Sequence, residues 1–205
     1  MNSLFINTST KKLLIAIIKD DKILFEYKDD NSNELSSKIF PIIDDAFKKS
    51  GLKPNDIDTI FVTNGPGSFT GIRIGLTIAK VMAWSLNIKV IPISSLELMA
   101  STKTSKCVAS LIDARRGYVF AGLYDNDLNA IIEDKYCLLN DFINEINKDV
   151  MFVSHDNFEF EVCDSDYDIL KVINKHINDA GINPHKLNPN YLKLTEAEEK
   201  FLESR

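Results

Sequence analysis

Gly65-Pro66-Gly67-Ser68-Phe69-Thr70-Gly71-Ile72-Arg73-Ile74-Gly75 decides the reading of this chain. An apolar, strand-like run over residues 57–63 leads into it, and a helix-forming stretch ending near Asn87 follows. Strand, glycine loop, helix is therefore the local order. Glycines take positive φ and expose their amides, and a helix begins with free N–H groups and the positive end of its dipole. The loop residues Gly65, Pro66, Gly67, Ser68, Phe69, Thr70 and Gly71, with Arg73 one turn on, are accordingly the candidate nucleotide or anion contact. A tight turn packed by Phe69 explains the same residues without a ligand.

Two familiar phosphate loops can be tested against this run. A P-loop needs Lys and then Ser or Thr after its last glycine, whereas Ile72 and Arg73 follow Gly71. Gly65, Gly67 and Gly71 fit a loose dinucleotide fingerprint, but Ile91, Pro92 and Ile93 stand where an acidic residue should end the next strand.

Upstream of the loop, residues 3–7, 13–19 and 23–27 are β-rich runs separated by short polar breaks, which predicts an antiparallel meander. Leu35, Ile39, Ile42, Ile43, Ala46 and Phe47 then recur at helical spacing up to Gly51, with Pro41 expected to bend the helix. Downstream, residues 88–93 read as a strand, and Ser94 with Glu97 has the spacing of a capping box for a short helix through Met99. The first half is thus β-β-β-α-β-α-β-α.

A polar break at residues 101–106 separates a second strand-rich region with runs at 107–112, 118–124, 130–137 and 150–154. Helices are expected at 141–147 and 167–178, with Gly181 as a stop, and at 196–203 after Pro184 and Pro189. The division predicted is a first lobe over 1–103 carrying the glycine loop, and a smaller second lobe and tail over 104–205.

The helix after the glycine loop is apolar nearly all round: Ile72, Leu76, Ala79, Met82, Ala83 and Leu86 on one side, Ile74, Ile78 and Val81 on the other. Such a helix is buried on both sides, within its own domain or between the domain and a partner. The partner reading takes Leu35, Ile39, Ile43, Ile74, Ile78 and Val81 as interface residues.

Composition narrows the function classes. With 205 residues, 44% hydrophobic and 26% charged, the chain has the make-up of an ordinary globular protein. A net charge of −6 argues against a surface that grips a phosphate backbone unaided. Cys107, Cys137 and Cys163 are odd in number and widely spaced, which suggests neither a disulfide framework nor a zinc site and fits a reducing cytoplasm. The longest aliphatic run, residues 13–18, is too short to span a bilayer, and the N-terminus lacks a signal-peptide pattern. His155, His176 and His185 are scattered and read as surface or packing residues. No catalytic residue and no metal ligand is named.

The glycine run closely resembles the signature of the bacterial tRNA threonylcarbamoyladenosine biosynthesis protein TsaB (YeaZ) family. The opening residues 4–10, Ser94-Ser95-Leu96-Glu97, Asp113-Ala114-Arg115-Arg116-Gly117-Tyr118, Pro189-Asn190-Tyr191-Leu192-Lys193 and Glu196-Ala197-Glu198 fall where that family has similar segments. The resemblance implies an α/β, actin-like (ASKHA) fold of two ribonuclease-H-like lobes, the second shortened. It also implies a non-catalytic subunit pairing, through its first two helices, with the catalytic paralogue TsaD and joined by the ATPase TsaE. On this reading tRNA is met only through the complex, the chain has no cofactor of its own, and ATP or ADP belongs at the complex interface.

Two departures bear on catalysis. Actin-fold phosphotransferases carry an Asp and a glycine turn in the first hairpin, where this chain has Asn7-Thr8-Ser9-Thr10. The catalytic paralogue has a His-Leu-Glu-Gly-His metal pair, where this chain has Ser95-Leu96-Glu97-Leu98-Met99. A stand-alone peptidase or kinase, and a self-associating structural dimer, are the alternatives.

Overall fold

A computed structural model describes residues 1–30, 34–147 and 149–193. Three strands open the chain where the β-rich runs and polar breaks placed them: β1 (Asn2–Asn7), β2 (Lys12–Lys19) and β3 (Lys22–Asp30). Asp20 and Asp21, both at positive φ, close the tight β2–β3 turn, a conformation that short polar side chains tolerate better than most. α1 (Leu35–Ser50) runs as one helix across the exposed Pro41 and ends on Gly51 in the left-handed conformation, whose amide bonds back to the Phe47 carbonyl. β4 (Thr59–Gly65), α2 (Phe69–Leu86), β5 (Lys89–Ser94) and α3 (Ser95–Ala100) complete the first lobe.

The first sheet has the order β3-β2-β1-β4-β5. β1 to β3 pair antiparallel, and β4 and β5 continue parallel to β1. The second lobe repeats the pattern with β6 (Cys107–Asp113), β7 (Tyr118–Tyr124), β8 (Ala130–Leu138) and, after α4 (Leu139–Glu145), β9 (Val150–Val153). Its sheet runs β8-β7-β6-β9 with β9 parallel to β6, one strand fewer than the first. α5 (Ile169–His176) follows, shorter than the sequence suggested because Asp168 caps it late, its side chain accepting from the Lys171 amide.

Alternation along β1 sends Leu4 and Ile6 one way and Phe5 the other, so the first sheet is covered on both faces. α1 and α2 cover the outer face, burying Ile39, Ile43, Ile72, Leu76 and Ile78. α3 and α5 fill the space between the sheets, where Phe5 and Phe61 meet Leu96, Met99, Val172 and the second sheet's Val108 and Tyr124. α4 covers the far face of the second sheet through Phe142.

Three expectations are corrected. α3 has half a capping box: Ser94 Oγ accepts from the Leu96 and Glu97 amides, but the Glu97 carboxylate turns to Lys175 and His176 instead of the Ser94 amide. Gly181 does not end a helix; α5 stops at His176, and Gly181 lets the chain cross beside β5, where the Ile182 amide donates to the Val90 carbonyl at 2.9 Å. Nor does the whole tail belong to the second lobe. From Ile182 it straps the first lobe, burying Leu187 in the core beneath α2 and bonding the Asn190 amide to the Asn64 carbonyl at 2.7 Å. The helix expected at 196–203 lies outside the described residues.

Candidate functional site

The glycine loop lies against the turn between β1 and β2, backbone on backbone. Ser68 caps α2, its Oγ accepting from the Gly71 amide at 3.2 Å, while its own amide donates to the Ser9 carbonyl at 2.7 Å. Thr8 Oγ1 donates to the Gly71 carbonyl at 2.7 Å. A Cβ on Gly67 would sit 2.1 Å from the Ser9 carbonyl oxygen, and one on Gly71 would sit 1.9 Å from that of Thr8. The glycines thus permit a contact that no side chain allows. Gly65 and Pro66 are buried in the same junction, whereas Ser68, Phe69, Thr70 and Arg73 are exposed.

Asn7 organises the opposing turn from a fully buried position. Its Nδ2 donates to Thr10 Oγ1 at 2.9 Å and to the Lys12 carbonyl at 2.7 Å. Its Oδ1 accepts from Thr63 Oγ1 and Ser9 Oγ, both at 2.9 Å. Both amide protons are used, so a carboxylate, which only accepts, would set its oxygen against the Lys12 carbonyl. Ser9 Oγ is also 2.6 Å from Ser95 Oγ. A neutral hydroxyl and amide network therefore occupies the hairpin position discussed above.

The loop and the turn form one wall of a cleft of about 560 Å³ between the lobes. Met99 lies at its floor, and Ile112, Phe120 and His155 come from the second lobe. The lobes are tied across it. Lys11 pairs with Asp156 at 2.6 Å, and Asp156 also accepts from the Asp113 amide at 2.8 Å. Deeper in, Thr10 Oγ1 lies 2.8 Å from the Tyr167 hydroxyl, which bonds His155 Nε2, whose Nδ1 meets the Asp164 carboxylate. Burial pushes the Tyr167 hydroxyl well above its ordinary range. Burial also lowers the His155 imidazole, outweighing the opposing pull of Asp164.

A second junction joins α3 to α5. Glu97 Oε1 accepts from Lys175 Nζ and His176 Nε2, both at 2.8 Å, and His176 Nδ1 faces Asp179 at 2.7 Å. The Glu97 hydrogen bond leads in raising the His176 imidazole. For Glu97, burial pushes the carboxyl up, but the bonds from His176 and Lys175 together leave it below its ordinary range. Asp134 on β8 reaches Ser94 and Tyr124, and burial raises its carboxyl. Two of the scattered histidines are therefore packing residues of lobe junctions. Among the described residues no group of three or more His, Cys, Asp or Glu converges as metal ligands do.

The interface residues expected on the first two helices are only partly placed as expected. Leu35, Ile39, Ile43 and Ile78 are buried in this chain's own core, Ile78 with 5% of its surface exposed, so they present nothing to a partner. Ile74 is half-buried and Val81 is 57% exposed. Two residues not singled out are also exposed, Phe40 on α1 at 64% and Trp84 on α2 at 66%, the Trp84 ring standing edge-on to His185 of the tail strap at 6.4 Å. The helical step from Val81 to Trp84 was available as a signal, since positions three apart share a face. Among the described residues no helix is long and apolar enough to cross a membrane.

Two ribonuclease-H-like sheets, each with a 3-2-1-4 strand order and facing one another across a cleft, define an actin-like protein, here with a shortened second lobe. The family model of TsaD, tRNA N6-adenosine threonylcarbamoyltransferase, matches residues 29–175. The tRNA threonylcarbamoyladenosine biosynthesis protein TsaB of Bacillus subtilis is 32% identical over 230 residues, covering all of both chains. The Haemophilus influenzae protein of the same name is 30% identical over 73% of this chain and 69% of its own. The solved structure of YeaZ from Pseudomonas aeruginosa superposes with a TM-score of 0.78 at 19% identity, covering 93% of this chain and all of that one. The chain belongs to the TsaB (YeaZ) family.

Proposed function

We propose that this chain acts in tRNA N6-threonylcarbamoyladenosine biosynthesis as a non-catalytic subunit that pairs with a TsaD-like catalytic paralogue, the ATPase TsaE joining the pair. The observation that carries this reading is the outer side of α1 and α2, where Phe40, Val81 and Trp84 stand exposed. Large apolar side chains on neighbouring helices of a soluble protein mark a surface that another protein covers. Phe40, Ile74, Val81 and Trp84 are the contacts of this surface.

The neutral network buried behind the glycine loop supports the non-catalytic part. Asn7, Ser9 and Ser95 are bonded to one another and offer no carboxylate for a metal. ATP or ADP belongs at the interface of the complex, tRNA is engaged as part of that complex, and the setting is the cytoplasm. In isolation the same apolar side of α1 and α2 pairs with a second copy.

Reconstitution tests the reading. Modified tRNA should form when chain, TsaD-like paralogue and TsaE are combined, and omission of the chain should abolish it. ATP turnover or peptide cleavage by the purified chain alone would instead support the stand-alone enzyme.

A further inference from the structure

We propose that the cleft edge formed by the start of α2, the tail strap and the β6–β7 turn is a contact face for unpaired RNA. The proposal rests on the role in tRNA modification given above and adds a direct contact by this subunit.

On the first lobe, the Arg73 guanidinium lies 3.8 Å from the centre of the Phe69 ring and donates to the Tyr191 hydroxyl at 2.9 Å. Phe69 and Tyr191 stack at 5.0 Å. Two residues along the strap, Lys193 Nζ sits 5.2 Å from the centre of the Tyr136 ring on the second lobe. Tyr136 stacks on Tyr118 at 4.9 Å. Tyr118 directly follows the exposed turn of Arg115 and Arg116, which its amide closes by donating to the Arg115 carbonyl at 3.0 Å. Two clusters of cation and stacked rings result, one on each lobe, with the strap from Tyr191 to Lys193 running between them.

The Asp113 carboxylate beside this face takes the Arg115 amide at 2.9 Å. The ion pairs of the described residues fall to lysines, the N-terminal amine and two histidines, from Lys11 with Asp156 to His176 with Glu97. Among the described residues no acidic side chain pairs with Arg73, Arg115 or Arg116, and the remaining arginine, Arg205, lies outside them. In a chain of net charge −6, three of the four arginines stand beside these aromatic clusters, Arg73 at Phe69 and Tyr191 and Arg115 and Arg116 in the turn before Tyr118. Arginine planes and aromatic rings take unpaired bases by stacking, while the guanidinium groups take the phosphates between them. Both turn arginines hold a left-handed backbone, φ 69° and 56°, in a turn that closes onto β7.

The test uses the full chain and a fluorescein-labelled, unstructured twelve-nucleotide RNA, followed by anisotropy across a salt series. Arg115→Gln with Arg116→Gln should weaken binding at least about tenfold at low salt and reduce the log–log salt slope by about 1.4, at about 0.7 per phosphate contact on a single strand. Lys19→Ala with Lys22→Ala, the same charge removed from the far hairpin, should stay within about twofold because it leaves those phosphate contacts in place. Tyr136→Leu should weaken binding with the slope unchanged, and if that variant does not fold, Lys193→Ala should lower the slope by about 0.7. Equal losses in the two double variants, or none in either, would overturn the proposal. So would a turn variant that loses affinity for the TsaD-like paralogue but keeps its RNA binding, since the face would then be a protein contact. Failure of RNA binding with pairing intact removes this face alone, whereas failure of the wild-type chain to pair removes the role on which it rests.

Discussion

Gly71→Ala isolates the claim that the glycine loop is built for backbone contact. Gly71 sits in the first turn of α2, where alanine is the better helix former by about 1 kcal/mol, so propensity alone predicts a more stable protein. Packing predicts the reverse. The new Cβ would lie 1.9 Å from the Thr8 carbonyl oxygen, and to reach an ordinary separation of about 3.3 Å the loop must withdraw by more than about 1 Å. That movement breaks two contacts between the loop and the first turn, Ser68 N to the Ser9 carbonyl and Thr8 Oγ1 to the Gly71 carbonyl, each 2.7 Å long. Losing them costs about 1 kcal/mol each, and the strain of overpacking adds about 1–3 kcal/mol. A net destabilisation of about 2–4 kcal/mol follows, a large part of the 5–15 kcal/mol that holds a typical domain. Gly117→Ala is the control. It has nothing within 4 Å of its Cβ and carries only the left-handed strain of φ 78°, about 1–2 kcal/mol. Urea unfolding followed by circular dichroism gives both values. A Gly71→Ala protein as stable as the wild type would refute the reasoning.

Two further outcomes follow from the buried network. Asn7→Asp should destabilise by about 3–5 kcal/mol, because the buried carboxylate loses both donated bonds and faces the Lys12 carbonyl, and a fall in thermal midpoint at pH 7 of under 2 °C would contradict this. The Glu97–His176 pair sets a pH dependence. His176 is raised above 6.5, so its stabilisation is fully present below pH 6.5 and lost as pH climbs through the folded value. Glu97 is lowered below 4.5, so its part is present above that value and lost as pH falls through the folded one. The stability gap between wild type and Glu97→Gln should therefore be widest between those two values and narrower at pH 8.5, where Lys175 remains as partner. A gap in urea midpoint that grows from pH 5.5 to 8.5 would sink this assignment.

The opening meander and the element order of the first lobe were readable because short polar breaks separate β1, β2 and β3 and α1 carries its apolar residues at helical period. α2 defeated the same method. With Ile72, Ile74, Leu76, Ile78 and Val81 spread around it, periodicity carried no phase, and Ile78 was set outward although it faces the core. On α1, Leu35, Ile39 and Ile43 form the stripe that its own sheet needs, and assigning them to a partner used that stripe twice. The lobe junctions were beyond local reading, since His155 meets Tyr167 and Glu97 meets Lys175 only after two lobes pack. The strap was hidden because Leu187 and Asn190 take their meaning from contacts more than 100 positions away in the chain, with α2 and Asn64.

Pairing through the outer side of α1 and α2 is the central claim, and Trp84→Glu tests it most directly. Trp84 is 66% exposed, so the variant should fold with an unchanged thermal midpoint within about 2 °C, surface substitutions being worth about 0.5 kcal/mol or less. At an interface the same change removes a large aromatic anchor and buries an unpaired charge, a loss of at least about 2 kcal/mol, or about 30-fold in affinity. Isothermal titration of wild type and variant against the TsaD-like paralogue reads this difference. Folded Trp84→Glu protein should bind about 30-fold more weakly or not at all; a folded variant that binds as tightly as the wild type would place the partner surface elsewhere.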